Sequence, residues 1–370
     1  MPMISLSLVP RLLAAAVLSA PLAVTSAQSP WTPQNAGTDA SFRGMSVVNA
    51  SVAWISGTGG TFAWTDDAGA KWHPGHVVGA ESFDFRAVHA VSLDTALVMV
   101  SSQDTALIYR TTDRGQSWAL RYRDVSKGAF LDAMTFFDSR HGLAVGDPVG
   151  GRFVILETFD GGEHWTRQSG SAMPASLPGE GAFAASGTSL ITCGSEDAWL
   201  GTGGAAKSRV FHSADAGRTW SVAETPIQAG AAAAGIFSLA CRDARNVIAV
   251  GGNYAKPDAG AVTVARSEDA GATWTGSEPA SSTSFLSGVA YVDASDGQQL
   301  IAVGTEGTSL TLDSGRSWRR LDTRSLNVVM AARGGPVWAA GARGGVATFS
   351  GLPVDKRSPE QAARRPATTP

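Results

Sequence analysis

The stretch TTDRGQSW at residues 111–118 decides the fold of this chain, because close copies of it occur five more times. The copies are TDDAGAKW, TFDGGEHW, SADAGRTW, SEDAGATW and TLDSGRSW, which end at Trp72, Trp165, Trp220, Trp274 and Trp318. Each copy, called a box below, holds an Asp, a spacer, a Gly, two further residues and a Trp. Successive box Asp residues are 46, 47, 55, 54 and 44 positions apart, and a period of this length indicates a repeat architecture.

The segments between the boxes have the pattern of short β-strands. Each repeat begins with an apolar residue, two variable residues and an apolar–x–apolar pattern. A second apolar run, a third run that leads into the box and a short fourth run after the Trp follow it. Four strands per unit of about 45 residues predict the blades of a β-propeller. Seven starts occur: FRGMSV, FRAVHA, LDAMTF, a degenerate EGAFAA, IFSLAC, LSGVAY and LNVVMA, beginning at Phe42, Phe85, Leu131, Glu180, Ile236, Leu286 and Leu326.

The seventh unit lacks a box, and this predicts how the ring closes. Ser350 stands where the Asp is expected, and no Trp follows it. At the other end of the chain, WTPQ at Trp31 matches WTRQ at Trp165, which follows a box. The N-terminal segment therefore supplies the fourth strand of the last blade, and closure limits exposed sheet edges. The predicted fold is all-β: a seven-bladed β-propeller of four-stranded antiparallel blades over residues 28–352, closed by its N-terminal strand.

The boxes are predicted to be scaffold. An Asp in a tight turn accepts hydrogen bonds from backbone N–H groups further along, and a Gly adopts a positive φ without strain. A catalytic residue does not need six copies, whereas a residue required once per blade does. The structural Asp residues are Asp67, Asp113, Asp160, Asp215, Asp269 and Asp313.

The ends of the chain differ from the repeats. Arg11, an apolar run and TSA at residues 25–27 predict a signal peptide over residues 1–27, cleaved near Ala27, and hence a periplasmic or secreted protein. Residues 353–370 are polar and Pro-rich, which predicts a disordered tail. The rest of the chain has no apolar run long enough to span a membrane. Cys193 and Cys241 are compatible with a disulfide or with two buried thiols.

Propeller topology predicts which face carries function. The innermost strand of each blade starts on one face, where the loop between the second and third strands also lies, and the box turns lie on the other face. Loops on the first face are long at residues 146–152, 201–209 and 251–261, as is the link at residues 173–183. The first variable residues at the strand starts are Arg43, Arg86, Asp132, Gly181, Phe237, Ser287 and Asn327. The predicted binding-face residues are Arg43, Arg86, Asp132, Asp147, Arg152, Glu180, Lys207, Arg209, Tyr254 and Lys256.

Cofactor and nucleic-acid motifs are weak in this chain. GTGGAA at residues 201–206 fits a dinucleotide-binding pattern, but a strand and a box follow it instead of the helix that receives a pyrophosphate. HPGH at residues 73–76 lacks companion metal ligands. The net charge of −3 shows no balance suited to a polyanion. We therefore predict a monomer without cofactor or metal, which binds a protein or a glycan and no nucleic acid.

The boxes resemble the Asp-box repeat of bacterial neuraminidases. The segment LDAMTFFDSRHGLAVGDPVGGRFVILETFDGGEHW at residues 131–165 is most similar to the photosystem II stability/assembly factor family. Members of that family are seven-bladed, lack known catalysis and bind partner proteins through an arginine-rich patch. The resemblance implies an exported, non-catalytic propeller that binds a protein partner or assists assembly. The residues to compare with the patch are Arg43, Arg86, Arg152 and Arg209.

Two enzymatic alternatives remain. Sialidase-like glycosidases use an arginine triad, a Tyr–Glu nucleophile pair and an acid. Here FRGM and FRAV retain only the Phe-Arg of the first arginine motif, and Tyr254 with Glu180 is the one plausible pair. A glycoside hydrolase with two carboxylates about 5–10 Å apart would use Asp132, Asp147 or Glu180 in the channel mouth. A weaker alternative is an oxidoreductase with a bound quinone-type cofactor.

Overall fold

In a computed structural model, the chain forms seven four-stranded antiparallel sheets, and their innermost strands contact one another in a closed cycle. The structure describes residues 29–169, 172–257, 260–277, 284–292, 297–332 and 335–351. The predicted signal peptide and tail, residues 1–27 and 353–370, lie outside this part. Among the described residues, none forms a helix that would be long and apolar enough to span a membrane. The predicted all-β seven-bladed propeller is confirmed.

The first four blades follow the chain outward from the channel. Blade 1 consists of β2 (Phe42–Val47), β3 (Ala53–Gly57), β4 (Thr61–Thr65) and β5 (His73–His76). Blade 2 consists of β6 (Phe85–Ala90), β7 (Ala96–Ser102), β8 (Thr105–Thr111) and β9 (Ala119–Asp124). Blade 3 consists of β10 (Ala133–Phe136), β11 (Gly142–Val149), β12 (Arg152–Thr158) and β13 (Thr166–Arg167). Blade 4 consists of β14 (Leu190–Cys193), β15 (Asp197–Gly201), β16 (Ser208–Ser213) and β17 (Ser221–Thr225).

The last three blades continue this order, and the final one combines both ends of the chain. Blade 5 consists of β18 (Ala234–Cys241), β19 (Val247–Asn253), β20 (Val264–Ser267) and β21 (Thr275–Gly276). Blade 6 consists of β22 (Gly288–Tyr291), β23 (Leu300–Gly304), β24 (Gly307–Thr311) and β25 (Arg319–Asp322). Blade 7 consists of β26 (Val328–Ala331), β27 (Val337–Ala340), β28 (Gly345–Phe349) and β1 (Trp31–Asn35).

The ring closes through β1, as the sequence predicts. This strand pairs antiparallel with β28, and Trp31 lies opposite Phe349. The Trp31 side chain is 2% exposed, and its indole N–H donates to Thr308 Oγ1 of blade 6 at 2.8 Å. The N–H of Ser350 donates to the carbonyl of Pro30, so the two ends of the described chain meet where a seventh box would stand. Strand pairing thus places β1 in blade 7, and the Trp31 side chain packs this strand against blade 6.

The inner strand of blade 4 differs from the prediction. It was expected to start at Glu180, but β14 begins at Leu190, and Leu190 pairs with Leu200 of the second strand. Residues 181–189, called the mouth segment below, do not extend the sheet of blade 4. Gly181 instead forms an isolated bridge with Gly203. The pattern at Glu180 resembles a strand start because Phe183 occupies an apolar position, but that ring packs in the channel mouth.

Each box is held by a repeated set of hydrogen bonds. In blade 2, the hydroxyl of Thr111 donates to Asp113 Oδ1 at 2.7 Å and accepts the N–H of Gly115 at 3.0 Å. The same carboxylate oxygen accepts the N–H of Ser117 at 2.9 Å. The Ser117 hydroxyl donates to Asp113 Oδ2, and this hydrogen bond, followed by those from the Ser117 N–H and the Thr111 hydroxyl, lowers the pKa of Asp113 to about 2. Arg114 and Gly115 both have positive φ, at 61° and 82°, which the tight turn requires. The hydroxyl two residues before the Asp is a part of the box that the sequence motif did not include.

A disulfide joins blades 4 and 5. Cys193 ends β14 and Cys241 ends β18, and their Cα atoms are 6.2 Å apart. The structure thus decides between the two alternatives that the sequence left open.

Removal of this disulfide is expected to lower the free energy of unfolding by about 2–4 kcal/mol, because it closes a loop between positions 48 residues apart in the unfolded chain. The measurement is urea denaturation of the oxidised protein, the reduced protein and the Cys193→Ser/Cys241→Ser variant. The variant should have the same urea midpoint as the reduced protein, and added reductant should not change that midpoint. An unchanged midpoint on reduction would contradict the prediction.

Candidate binding site at the channel mouth

One residue per blade surrounds the opening of the channel where the inner strands begin. This mouth ring consists of Arg43, Arg86, Asp132, Ser189, Phe237, Ser287 and Asn327. The strand register shifts at Arg43, Arg86 and Phe237 in their blades, and such bulges redirect a side chain out of the regular alternation. Ser189 takes the place that the sequence assigned to Gly181, because β14 starts later than predicted.

A cavity of about 560 Å³ opens inside the mouth ring. Six of the seven ring residues line it, all except Ser189. The end of β7 adds Ser101, and loops between second and third strands add Gln103, Tyr254 and Thr305. No box residue lines this cavity. The cavity therefore lies on the face where the topology predicted function.

The mouth segment crosses the opening and contributes one side of the cavity. The carbonyl of Ala184 accepts a hydrogen bond from Arg86 Nη1 of blade 2 at 3.2 Å. The ring of Phe183 stacks on Phe237 of blade 5, with 3.9 Å between centroids. Further along, the carbonyl of Thr188 accepts the N–H of Leu239 in blade 5. The mouth segment is therefore anchored to blade 2 on one side of the ring and to blade 5 on the other.

Two arginines form the cationic side of the cavity. Arg86 Nη2 lies 3.5 Å from Asp84 Oδ2, and Arg86 Nε is buried without a hydrogen-bond partner. Burial and the neighbouring charge of Arg86 lower the pKa of Arg43. Within the described residues, no hydrogen bond or ion pair engages the Arg43 guanidinium. An anionic group between the two arginines would relieve their mutual repulsion and satisfy their free donors.

Two carboxyl groups from blade 3 form the acidic side. Asp132 is 1% exposed, and its Oδ2 has no hydrogen-bond partner. Asp147 accepts a hydrogen bond from the N–H of Ala182 in the mouth segment. Burial, followed by the charge of Asp147, raises the pKa of Asp132 well above its usual value, and burial also raises the pKa of Asp147. The pair favours a shared proton or an added cation over two free negative charges.

Four aromatic rings form the third side. Phe237 makes edge contacts with Phe285 at 4.8 Å and with Tyr254 at 6.0 Å, in addition to its stack on Phe183. The four rings come from blades 5 and 6 and from the mouth segment. Of these four rings, only Tyr254 was among the predicted binding-face residues. Phe237 was recognisable from its position in the mouth ring, whereas no repeat position marks Phe183 or Phe285.

The other predicted binding-face residues lie outside the cavity. Glu180 is wholly buried and accepts hydrogen bonds from Arg209 Nε at 2.8 Å and from the Thr202 hydroxyl at 2.6 Å. This pairing separates Glu180 from Tyr254, so the proposed nucleophile pair is not formed.

The three remaining basic residues of the predicted set either have another partner or lie away from the cavity. Arg152 donates to the carbonyl of Met173. Lys207 forms an exposed ion pair with Glu224 at 3.0 Å. Lys256 is exposed and does not line the cavity. The structure therefore brings together Arg43, Arg86, Asp132, Asp147 and Tyr254 from the predicted set.

Fold and site together define a class: a seven-bladed propeller with Asp-boxes and a polar, aromatic-walled cavity at one end of its channel. The chain belongs to the BNR repeat-like domain family, whose model matches residues 150–340. The model of the photosynthesis system II assembly factor YCF48 matches residues 23–127. Among curated proteins, none matches the chain in sequence.

Two solved structures share the fold at low sequence identity, and a third has a lower TM-score. The structure titled YCF48 bound to D1 peptide has a TM-score of 0.61 and 15% identity, and the match covers 88% of this chain and 96% of that one. YCF48 from Cyanidioschyzon merolae has a TM-score of 0.59 and 15% identity, with coverages of 88% and 99%. The GH74 enzyme of Niastella koreensis has a TM-score of 0.46 and 12% identity, with coverages of 84% and 65%.

Proposed function

We propose that this chain is an exported, non-catalytic propeller that binds a peptide segment of a partner protein in the mouth cavity. The observation that carries the proposal is the arginine pair in an aromatic-walled cavity: the Arg43 guanidinium has no hydrogen-bond partner among the described residues, and Arg86 retains a buried, unpartnered Nε. Such a cavity offers charge-assisted hydrogen bonds to an anionic group and apolar surface to a neighbouring side chain. The similarity to a structure titled YCF48 bound to D1 peptide supports a peptide as the ligand.

The disulfide supports export. Disulfides persist in oxidising compartments such as the bacterial periplasm and are rare in the cytosol. Cys193 and Cys241 are bonded to each other across two blades. Together with the N-terminal segment that resembles a signal peptide, this pairing favours a periplasmic or secreted location.

Binding through the arginine pair is testable with a random octapeptide library displayed with free C-termini. Peptides selected by the wild type should carry an acidic side chain or use their terminal carboxylate. Their affinity should fall about ten-fold or more in Arg43→Ala and again in Arg86→Ala, because hydrogen bonds to charged groups contribute about 1.5–3 kcal/mol. Isothermal titration calorimetry of individual peptides provides the measurement.

The matched control is Arg319→Ala/Arg320→Ala, which removes two exposed arginines from the outer strand of blade 6. This variant should bind selected peptides like the wild type. Equal losses in this control and in the double variant Arg43→Ala/Arg86→Ala would indicate a general charge effect. Unchanged affinity in Arg43→Ala/Arg86→Ala would overturn the mouth as the binding site.

A second candidate function is glycoside hydrolysis, favoured by the buried carboxyl pair Asp132 and Asp147. A carboxyl group with a raised pKa can act as a general acid, and a second one nearby can act as a base or nucleophile. Turnover of a panel of aryl glycosides and oligosaccharides that Asp132→Asn abolishes would establish this function. Turnover that persists in Asp132→Asn would assign it to another site or to a contaminant.

A further inference from the structure

The carboxyl pair has properties that its surroundings do not explain. Asp132 lines an open cavity but is almost fully buried, and its Oδ2 is buried without a hydrogen-bond partner. A buried carboxyl group left without a hydrogen-bond partner is unfavourable, and native structures satisfy most such groups. Its neighbour Asp147 lines the same cavity and receives one backbone hydrogen bond. The free oxygen of Asp132 therefore points to a donor that a ligand brings.

The arginines of the cavity do not supply this donor. Among the described residues, neither Arg43 nor Arg86 forms an ion pair with Asp132 or Asp147. Arg86 is directed to Asp84 and to the carbonyl of Ala184 instead. The arginines and the carboxyl pair thus line one cavity without pairing with each other. A ligand with an anionic group and a cationic group would satisfy both sides at once.

The rings beside the carboxyl pair suit an organic cation. Phe130 lies two residues before Asp132 and lines the cavity. Phe183 follows Ala182, whose N–H holds Asp147, and it lines the cavity too. Ammonium and guanidinium groups are attracted to aromatic faces as well as to carboxylates. In the described part of the chain, no group of three or more His, Cys, Asp or Glu side chains is arranged to hold a metal ion.

We propose that Asp132 and Asp147 form a cation subsite, which binds an ammonium or guanidinium group of the peptide while Arg43 and Arg86 bind its anionic group. This inference rests on the proposed function and adds the direction in which the peptide lies. The cationic group lies over blade 3, beside Phe130 and Phe183. The anionic group lies over blades 1 and 2.

The test uses two sets of probes. The first is an octapeptide library with free C-termini, built from Gly, Ala, Phe, Glu, Gln and Lys, with the N-terminus either free or acetylated. The wild type should enrich peptides with Lys at one fixed distance from the anionic group, or peptides with a free N-terminus. These two results distinguish a side-chain cation from a terminal one. The second set is benzylamine and argininamide, each titrated alone.

The variants are Asp132→Asn and Asp132→Asn/Asp147→Asn, which keep the side-chain shapes and remove the charges. Each should lose the cation preference and weaken binding of benzylamine or argininamide about ten-fold or more. The control is Asp39→Asn, an exposed carboxylate in the loop between β1 and β2 that does not line the cavity. It should behave like the wild type. Thermal unfolding should show that the Asn variants remain folded.

The outcomes separate this inference from the proposed function. Peptides that depend on Arg43 and Arg86 but show no cation preference would overturn the subsite and leave the function standing. A cation preference that survives Asp132→Asn/Asp147→Asn would also overturn it. Small cations that bind in an Asp132-dependent manner without any peptide binding would support the subsite and overturn the function. If neither probe set binds, both proposals fall.

Discussion

Arg209→Met is expected to lower the free energy of unfolding by about 3–5 kcal/mol, because it leaves a wholly buried carboxylate without its cation. The Glu180 side chain has no solvent exposure, and that of Arg209 is 10% exposed. Arg209 also donates to the carbonyl of Ala175 at 2.9 Å, in the link that precedes the mouth segment. Met retains much of the apolar volume over Phe211, whose ring lies 4.9 Å from the guanidinium. The loss of stability therefore measures the removal of the positive charge. Chemical denaturation at neutral pH measures it.

Lys207→Met is the matched control for this prediction. Lys207 lies two residues earlier in the chain, and its ion pair with Glu224 is more than half exposed on both sides. Exposed pairs contribute about 0–1 kcal/mol, so this variant should unfold nearly like the wild type. Arg209→Met should also weaken peptide binding, because Glu180 anchors the segment that brings Phe183 into the cavity. Equal stabilities of the two variants would show that the Glu180–Arg209 pair does not hold the link.

Trp31→Ala is expected to lower the free energy of unfolding by about 3–5 kcal/mol, the usual cost of deleting a buried large aromatic side chain. Trp31 packs among apolar residues of blades 6 and 7, and its ring makes an edge contact with Phe349 at 5.4 Å. Its indole also satisfies the Thr308 hydroxyl in blade 6. The substitution removes the main apolar contact by which the closing strand joins the neighbouring blade. The measurement is urea denaturation followed by tryptophan fluorescence and far-ultraviolet circular dichroism.

The neighbouring substitution Thr32→Ala controls for the position in the strand. Thr32 is exposed in the same closing strand, and substitutions at such sites usually change stability by less than about 0.5 kcal/mol. A Trp31→Ala variant as stable as Thr32→Ala would contradict the view that β1 closes the ring through packing. If Trp31→Ala alone loses the single cooperative unfolding transition, the closing strand also couples the blades to one another, because an open ring unfolds in parts.

The number of blades and their closure were predictable from the sequence because every box makes the same backbone hydrogen bonds. Asp113 and Gly115 are needed wherever that turn occurs, so the motif counts the turns. The inner strand of blade 4 was not predictable in this way. Thr188 stands where the starts of the other six inner strands have Phe, Leu or Ile, and the segment with Phe183 offered an alternative match upstream. A template for strand starts cannot distinguish a ring that packs in a blade from one that packs in the channel.

The charged residues of the candidate site were predictable from the sequence. Arg43, Arg86 and Asp132 occupy one repeat position, and propeller symmetry brings that position to the mouth. The aromatic half required the structure, because Phe183 and Phe285 lie 102 residues apart in the chain and belong to no common repeat position. The ion pair between Arg209 and Glu180 was also not predictable, since Glu180 lies in an irregular link. The sequence pattern predicts the positions of residues that belong to the repeat. The positions of the others depend on contacts between residues distant in the chain, which the structure shows.

The meeting of the two chain ends at the position of the missing seventh box has a practical consequence. Ser350 hydrogen-bonds to Pro30 there, and none of the residues that line the mouth cavity belongs to a box. The two ends of the described chain therefore lie on the face opposite the mouth cavity. A tag, a tether or a solid support attached through either end should leave the rim pointing away from the support. Immobilised protein should therefore bind its ligands with the same affinity whichever end is used.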